Sequence, residues 1–205
     1  MKPPPSQFGA DITNNAARMI CTKLAGRAVI RVVGRCNDAK ENNNLDLSEC
    51  QLMQVPDAVY HLLRHTELKA CNLSSNVITK IPPKFAVNFS LITELNLSSN
   101  QMSKLPDELA DLAELESLDL SHNAFINLPG VVYKMPKLKC LLANSNRIIE
   151  VDVDRLTASK SIESVDLRDN PLPRNTEIAL NNVPRIRITL SPRELEEWED
   201  LTIQN

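Results

Sequence analysis

Apolar residues recur through the middle of the chain in one spacing, L-x-x-L-x-L-x-x-N-x-L, with related apolar residues accepted at the leucine positions. The closely spaced L-x-L pair places two apolar side chains on one face of a short strand. Five segments fit the pattern, and a degenerate copy precedes them. The five begin at Leu68, Ile92, Leu115, Leu138 and Ile162, and the degenerate copy begins at Leu45. The pattern therefore predicts six short strands, each with a buried face.

One polar position is as regular as the apolar ones. It holds Cys50 in the degenerate copy and Asn76, Asn100, Asn123, Asn146 and Asn170 in the other five. The asparagines are 24, 23, 23 and 24 residues apart, whereas Cys50 precedes the first of them by 26. Because an asparagine amide has two donor hydrogens and an acceptor oxygen, we expect this structural ladder to satisfy buried backbone groups of neighbouring turns. A period in the low twenties predicts stacked repeats around a leucine-filled interior.

Proline follows the ladder position by six residues in the first four copies, at Pro56, Pro82, Pro106 and Pro129. Proline suits the first turn of a helix, where its missing N–H is not needed. Apolar residues follow three and six positions later, which predicts short helices or helical turns on the convex side. The fifth copy has Asp152 in place of proline, so we expect its convex segment to be less regular.

These six copies resemble the intracellular leucine-rich repeat family with the L-x-x-L-P phase, over residues 43–173. The resemblance implies an α/β fold: a leucine-rich repeat solenoid with a curved parallel sheet, short helices or turns on its convex side, and helical caps at both ends. It also implies a non-catalytic scaffold or adaptor that binds a partner protein through the concave face of the sheet. The family carries no established chemistry.

The chain before the repeats divides into a flexible tail, residues 1–12, and a predicted helical cap, residues 13–42. The cap is predicted to have an apolar face (Ala25, Ala28, Val29, Val32, Val33 and Cys36) and an opposite, solvated basic side (Lys23, Arg27, Arg31 and Arg35). The main interpretation is a helix that covers the first repeat. The alternative is a membrane-surface or mitochondrial targeting helix, because the stretch is basic and nearly free of acidic residues.

Residues 174–205 are predicted to form the C-terminal cap. A short helix is expected at residues 177–181, and the alternation of Ile186 and Ile188 predicts a seventh strand. Ser191-Pro-Arg-Glu resembles a capping box that opens a final acidic helix containing Trp198. That helix is interpreted as a cover for the last repeat, with a partner-binding helix anchored by Trp198 as the alternative.

The variable strand residues of this architecture point outward onto the concave face, where most are generic polar side chains. Two places differ: the fifth copy puts Cys140 and Leu142 outward, and the sixth has Arg168 where serine is usual. An exposed leucine beside an arginine is typical of an interaction hot spot. The partner-binding residues predicted around it are Glu94, Asn96, Asp119, Cys140, Leu142, Asn144, Asp166 and Arg168.

Composition and charge bear mainly on what the chain is not expected to do. The net charge is −3, and basic groups concentrate in the first 35 residues, so the acidic repeat body disfavours nucleic-acid binding. Five cysteines without C-x-x-C spacing disfavour a disulfide framework or zinc site and favour a reducing compartment. No apolar signal core or membrane-spanning run is present. We expect a cytoplasmic monomer.

Catalytic and cofactor chemistry is not predicted either. His61 and His65 have the spacing of a helical zinc pair, but HLLRH lacks the glutamate of H-E-x-x-H and a third ligand. Four glycines form no phosphate-binding loop, and the scattered carboxylates belong to separate repeats. The expectation is therefore no enzyme, no cofactor and no metal.

Overall fold

The structure is a computed structural model that describes residue 26 and residues 28–192 of the 205-residue chain. Seven short strands form one parallel sheet in the order β1 to β7, so each strand pairs with its neighbours in sequence. They are β1 Asn44–Asp46, β2 Ala70–Asn72, β3 Glu94–Asn96, β4 Ser117–Asp119, β5 Cys140–Leu142, β6 Ser164–Asp166 and β7 Arg187–Thr189. The predicted solenoid is confirmed, and the seventh strand contains the predicted Ile188.

The middle residue of each strand lies over the interior. These residues align across the sheet as Leu45, Cys71, Leu95, Leu118, Leu141, Val165 and Ile188. All are buried except Ile188, which is half-buried in the terminal strand. Because successive side chains of a strand alternate between faces, the residues flanking this row point to the concave surface. The register therefore fixes which side chains a partner could meet.

Short helical segments return the chain along the convex side. Helix α1 occupies residues 28–42, and the next helices are α2 Asp57–Leu62, α3 Lys84–Asn88, α4 Val153–Ala158 and α5 Arg174–Asn181. Two segments, Asp107–Asp111 and Gly130–Lys134, are 3₁₀ helices. Pro56, Pro106 and Pro129 each stand one residue before the first helical residue, and their carbonyl oxygens accept from the N–H three positions later.

The expectation that Asp152 makes the fifth convex segment less regular is wrong. Helix α4 is a six-residue α-helix, whereas the two preceding repeats with proline form 3₁₀ helices. The Asp152 carboxylate accepts from the backbone N–H of Arg155 at 3.0 Å. The equivalent N–H groups of the proline repeats donate to the proline carbonyl oxygen instead, so the aspartate side chain caps the same donor and starts the helix at least as well as proline.

A single continuous core runs through all repeats. The second leucine of each L-x-L pair is buried at 0–1% exposure, as in Leu73, Leu97 and Leu120. At the first and second repeats, Tyr60, Phe85 and Phe89 fill the space between the sheet and the helices. The ring centroids are 5.2 Å apart for Phe85 and Phe89 and 5.5 Å apart for Tyr60 and Phe89. No repeat could bury these side chains alone, so stacking supplies the stability of the whole.

Helix α1 packs differently from the predicted amphipathic helix. Val32, Cys36 and Ala39 are buried in the core, but Val29 and Val33 of the expected apolar face are exposed, together with Ile30. The buried stripe of the helix is narrower than predicted. In addition, the basic side of the helix is not simply solvated. Arg31 and Arg35 both donate to main-chain oxygens of the first repeat. Residues 13–25 and 27 of the predicted cap, and the tail 1–12, lie outside the described residues.

The far end of the sheet is formed by α5 and β7. Helix α5 contains the predicted residues 177–181 but begins three residues earlier, directly after Pro173. Leu180, Val183 and Ile186 bury against the last repeat. The final helix predicted around Trp198 lies outside the described residues.

Candidate functional site

The asparagines bind the repeats together through their side chains. The Asn100 amide nitrogen donates to the main-chain oxygens of Leu97 and Ser98 in its own repeat and Leu73 in the preceding one, at 3.0–3.1 Å. Its oxygen accepts from the Ile78 N–H at 3.0 Å. The same set of donors and acceptors recurs at Asn76, Asn123, Asn146 and Asn170. Each asparagine thus satisfies backbone groups of two repeats at once.

The residue before each ladder position has left-handed backbone geometry. Glu49, Ser75, Ser99, His122, Ser145 and Asp169 all have φ between 53° and 55°. None is glycine, so each position carries the steric strain that a Cβ atom meets in this region. In the five turns that precede an asparagine, the hydrogen bonds of that side chain hold this conformation, whereas Glu49 adopts it before Cys50 without them.

The first ladder position is Cys50, whose thiol cannot reproduce these contacts. Here Arg35 of α1 donates from Nη1 to the main-chain oxygens of Asp46 and Ser48, and lies 3.5 Å from the Cys50 Sγ. In later repeats the corresponding oxygens accept from N–H groups of the preceding repeat, as Asn72 O does from Leu47 N. Arg35 therefore occupies acceptors at the edge of the sheet that no earlier repeat can reach.

Three columns of side chains form the concave face. The first column is Asn44, Ala70, Glu94, Ser117, Cys140, Ser164 and Arg187, and the second is Asp46, Asn72, Asn96, Asp119, Leu142, Asp166 and Thr189. The third follows each strand, at Ser48, Ser74, Ser98, Ser121, Asn144 and Arg168. All eight predicted partner-binding residues lie in these columns, in β3 to β6 and the turns after β5 and β6.

The second column has a structural task that its polar pattern does not reveal. The side-chain oxygens of Asp46, Asn72, Asn96, Asp119 and Asp166 each accept from the backbone N–H two residues later, at 2.9–3.0 Å. These Asx bonds turn the chain at the end of each strand. Three of the predicted binding residues, Asn96, Asp119 and Asp166, are therefore also part of the repeat scaffold.

Leu142 breaks this pattern. It is the one residue of this column among β1 to β6 that cannot make the Asx bond, and it lies in register between Asp119 and Asp166. Leu142 and Cys140 are both half-buried rather than fully exposed, while the small Ala143 fills the next inward position of the same repeat. An apolar side chain thus stands where its neighbours carry hydrogen-bonding groups, next to a free cysteine.

Arg168 forms an ion pair with Asp166. Its guanidinium donates from Nη2 and Nε to the Asp166 carboxylate, the shortest contact being 2.6 Å. Partial burial raises the pKa of Asp166, but the hydrogen bonds and charge of Arg168 outweigh that effect, so the pKa is lowered. The arginine remains exposed, and the bidentate contact fixes its plane against Asp166, the register partner of Leu142.

Ion pairs also link neighbouring repeats along the rim where the strands begin. Lys137 and Lys139 of the fifth repeat contact Glu114 and Glu116 of the fourth, with nitrogen–oxygen distances of 2.7 and 2.8 Å. All four side chains are substantially exposed, so each pair stabilises the stack only weakly.

Sequence reasoning missed one cavity. A cleft of about 680 Å³ lies on the convex flank, among Ile126, Leu128, Gly130, Tyr133 and the Lys134–Asp107 and Arg155–Asp152 ion pairs. Its lining comes from the convex segments of the third, fourth and fifth repeats. The aligned pattern predicts the strands and the buried positions, but not the space that remains between the convex segments of three repeats.

The part of the chain that the structure describes contains neither a cluster of metal-ligating side chains nor a helix that could span a membrane. No group of three or more histidine, cysteine, aspartate or glutamate side chains is arranged to hold a metal ion there. His61 lies in α2 and His65 follows it, both exposed. None of the helices in residues 28–192 combines the length and apolarity needed to cross a bilayer.

Comparison with known proteins gives the class of the molecule. The family model described as leucine rich repeat matches residues 66–125. The structure superimposes on a leucine-rich repeat protein of Leptospira interrogans with a TM-score of 0.59 and 28% sequence identity, over 67% of this chain and 34% of that one. Together with the seven-stranded solenoid and its asparagines, these matches show that the chain belongs to the leucine-rich repeat family.

Two relatives match along nearly their whole length. The chain is similar to Leucine-rich repeat-containing protein 20 of Homo sapiens, with 33% identity over 82% of this chain and 92% of the human protein. The mouse protein of the same name is 30% identical over 82% of this chain and 94% of its own length. The segments LDLSECQLMQVPDAVY and VDLRDNPL, which open and close the repeats, indicate the same narrower resemblance.

Proposed function

We propose that this protein is a non-catalytic interaction module that holds a segment of a partner protein on its concave face. The binding surface comprises Glu94, Asn96, Asp119, Cys140, Leu142, Asn144, Asp166 and Arg168. The protein would act as a scaffold or adaptor in the cytoplasm and as a monomer, without cofactor or nucleic acid.

The observation that carries this proposal is the identity of Leu142. Its column otherwise supplies an Asx hydrogen bond at every strand from β1 to β6. Such a bond contributes on the order of 1 kcal/mol, and an aliphatic side chain at a solvent-facing position does not replace it. Leu142 thus lowers the stability of the scaffold at a position that is otherwise aspartate or asparagine. This favours the interpretation that Leu142 contacts another molecule.

The dimensions of the face suit a short element of a partner. Adjacent strands lie about 4.8 Å apart, so the span from β3 to β6 is about 14 Å. That width accommodates one helix or one loop, whose overall diameter is about 10 Å. Leu142 and the fixed Arg168 guanidinium lie toward one end of this span, where an apolar anchor and a planar donor would act together.

Capture of partners from cell extracts tests the site with matched substitutions. We expect Leu142→Asp and Arg168→Glu to abolish capture, because each puts a negative charge at the contact. The control is Ile149→Asp, the same change on an exposed aliphatic residue of the fifth repeat, which should leave capture intact. All three variants should melt cooperatively. Unchanged capture by both concave variants would remove the site assignment.

A second candidate is membrane-surface association through residues 13–37, supported by the 62% and 73% exposure of Val29 and Ile30 on α1. Arg31 and Arg35 count against it, because they contact the first repeat rather than a surface outside the protein. Binding to anionic vesicles separates the two candidates. Membrane association requires that Ile30→Asp reduce vesicle binding, and binding that survives removal of residues 13–37 eliminates it.

A further inference from the structure

The carboxylates of the concave face fall into two groups according to their partners. At the two ends of the face, Asp46 lies 3.6 Å from Arg35 and Asp166 lies 2.6 Å from Arg168. Each of these negative charges is neutralised within the protein. The second column therefore carries little net negative charge at β1 and β6.

The middle of the face differs. Glu94 of β3 and Asp119 of β4 form no salt bridge with any lysine or arginine in residues 28–192. Glu94 is exposed and Asp119 is half-buried. Glu94 lies in register between the small side chains of Ala70 and Ser117, and both carboxylates keep some exposure to solvent. Two uncompensated negative charges thus stand on an open part of the sheet.

These charges are next to the apolar residues of the proposed site. Asp119 is the register partner of Leu142 on the adjacent strand. Glu94 and Cys140 are two strands apart, with Ser117 in register between them. One strand spacing is about 4.8 Å, so Leu142 is about 5 Å from Asp119 and Cys140 about 10 Å from Glu94 across the sheet. Side chains three or four positions apart on a helix are about 5–6 Å apart, which matches the spacing of Asp119 and Leu142.

We infer that the concave face takes a basic amphipathic segment, with lysine or arginine over Glu94 and Asp119 and an aliphatic side chain over Leu142 and Cys140. This inference rests on the proposed function and adds the chemistry of the partner. A basic partner recovers the charge interactions that the face lacks, and the neutralised ends leave the attraction centred on β3 and β4. An acidic segment would meet repulsion from both carboxylates at the same place.

Peptide selection on the full-length protein tests the inference while the partner is still unidentified. A random peptide library displayed on phage is selected on the wild type, on Glu94→Gln with Asp119→Asn, and on a control with Glu108→Gln and Asp111→Asn. The control removes the same charge from the exposed convex side. Asp119→Asn keeps the fold, because asparagine already makes the Asx bond at two positions of this column.

We expect peptides selected on the wild type to be enriched in lysine or arginine spaced three or four positions from an aliphatic residue. Their affinity, measured by fluorescence anisotropy, should fall about tenfold on the Glu94→Gln, Asp119→Asn variant, as for two partly screened charge pairs. It should stay unchanged on the convex control. Selected peptides without basic enrichment, or with affinity indifferent to the concave double substitution, overturn the inference.

A further variant, Leu142→Asp, separates this inference from the function on which it rests. Peptides that lose binding on Leu142→Asp but lack basic residues contradict only the chemistry assigned to the partner. Peptides that bind Leu142→Asp as well as the wild type, or the recovery of no peptide at all, contradict the concave-face proposal itself.

Discussion

The Arg35 guanidinium donates a hydrogen bond to the main-chain oxygen of Ser48, an acceptor that a preceding repeat would fill in the interior of the stack. Replacing Arg35 with methionine keeps the packing of the side-chain stem and removes the donors. We expect the free energy of unfolding in urea to fall by about 1.5–3 kcal/mol, as for a hydrogen bond to a charged donor. Arg64→Met, on an exposed arginine after α2, serves as the control. Equal stability of both variants would show that the edge acceptors need no partner.

Replacing a ladder asparagine in the middle of the stack should lower the free energy of unfolding by more than the loss of Arg35 does. Asn100→Ala removes four hydrogen bonds and leaves backbone groups of two repeats buried without partners. We expect a loss of about 2–4 kcal/mol in urea unfolding, since unsatisfied buried groups cost about 1–3 kcal/mol each and relaxation recovers part of it. Asn127→Ala, at an exposed position, should cost less than about 0.5 kcal/mol. Similar losses at the two positions would contradict the role assigned to the Asn100 amide.

The left-handed position before each ladder residue gives a prediction of its own. Ser99 has a φ of 53°, a region that β-branched residues rarely enter. Ser99→Val should therefore lower the free energy of unfolding by about 1–2 kcal/mol. Ser103→Val, in the same repeat at an exposed position without positive φ, should change it little. If the two valines are tolerated equally, the strain does not exist.

Asp166 and Arg168 predict a dependence of stability on pH. The pKa of Asp166 in the folded protein is lowered from 3.8, so the pair contributes fully above that value and is lost as the pH falls through the lowered pKa. Asp166→Asn keeps the Asx bond and lacks the charge. The wild type should exceed this variant by about 0.5–1 kcal/mol at neutral pH, and the difference should shrink below pH 3.8. A difference that is the same across the acid range would exclude the charge as its source.

Much of the fold follows from the sequence because the period is nearly constant. A regular spacing forces equivalent residues into register, so the columns containing Glu94, Asp119 and Leu142 can be drawn from the aligned repeats alone. The ladder residues can be chosen in the same way. In each case the inference requires only that identical repeats stack identically.

The remainder depends on contacts that no repeat shares. Arg35 belongs to a helix outside the repeat pattern, and the sequence of that helix predicts a solvated basic side. In the structure, the Arg35 guanidinium donates to the main-chain oxygens of Asp46 and Ser48. The structural role of Asn96 and Asp166 is not predicted, because the recurrence of aspartate or asparagine at this position is equally typical of a strand residue exposed to solvent. The absence of proline before α4 does not predict an irregular segment, because the Asp152 side chain caps the helix in its place.

Leu142→Asn tests the central claim most directly, because it gives the fifth repeat the residue that its column carries in the second and third. The introduced asparagine can accept from the Asn144 N–H, so the free energy of unfolding should stay within about 1 kcal/mol of the wild type or rise. Binding of a peptide selected on the wild type should be lost, measured by anisotropy on the same preparation. Retained affinity in a variant of unchanged stability would contradict the claim that Leu142 serves binding rather than folding.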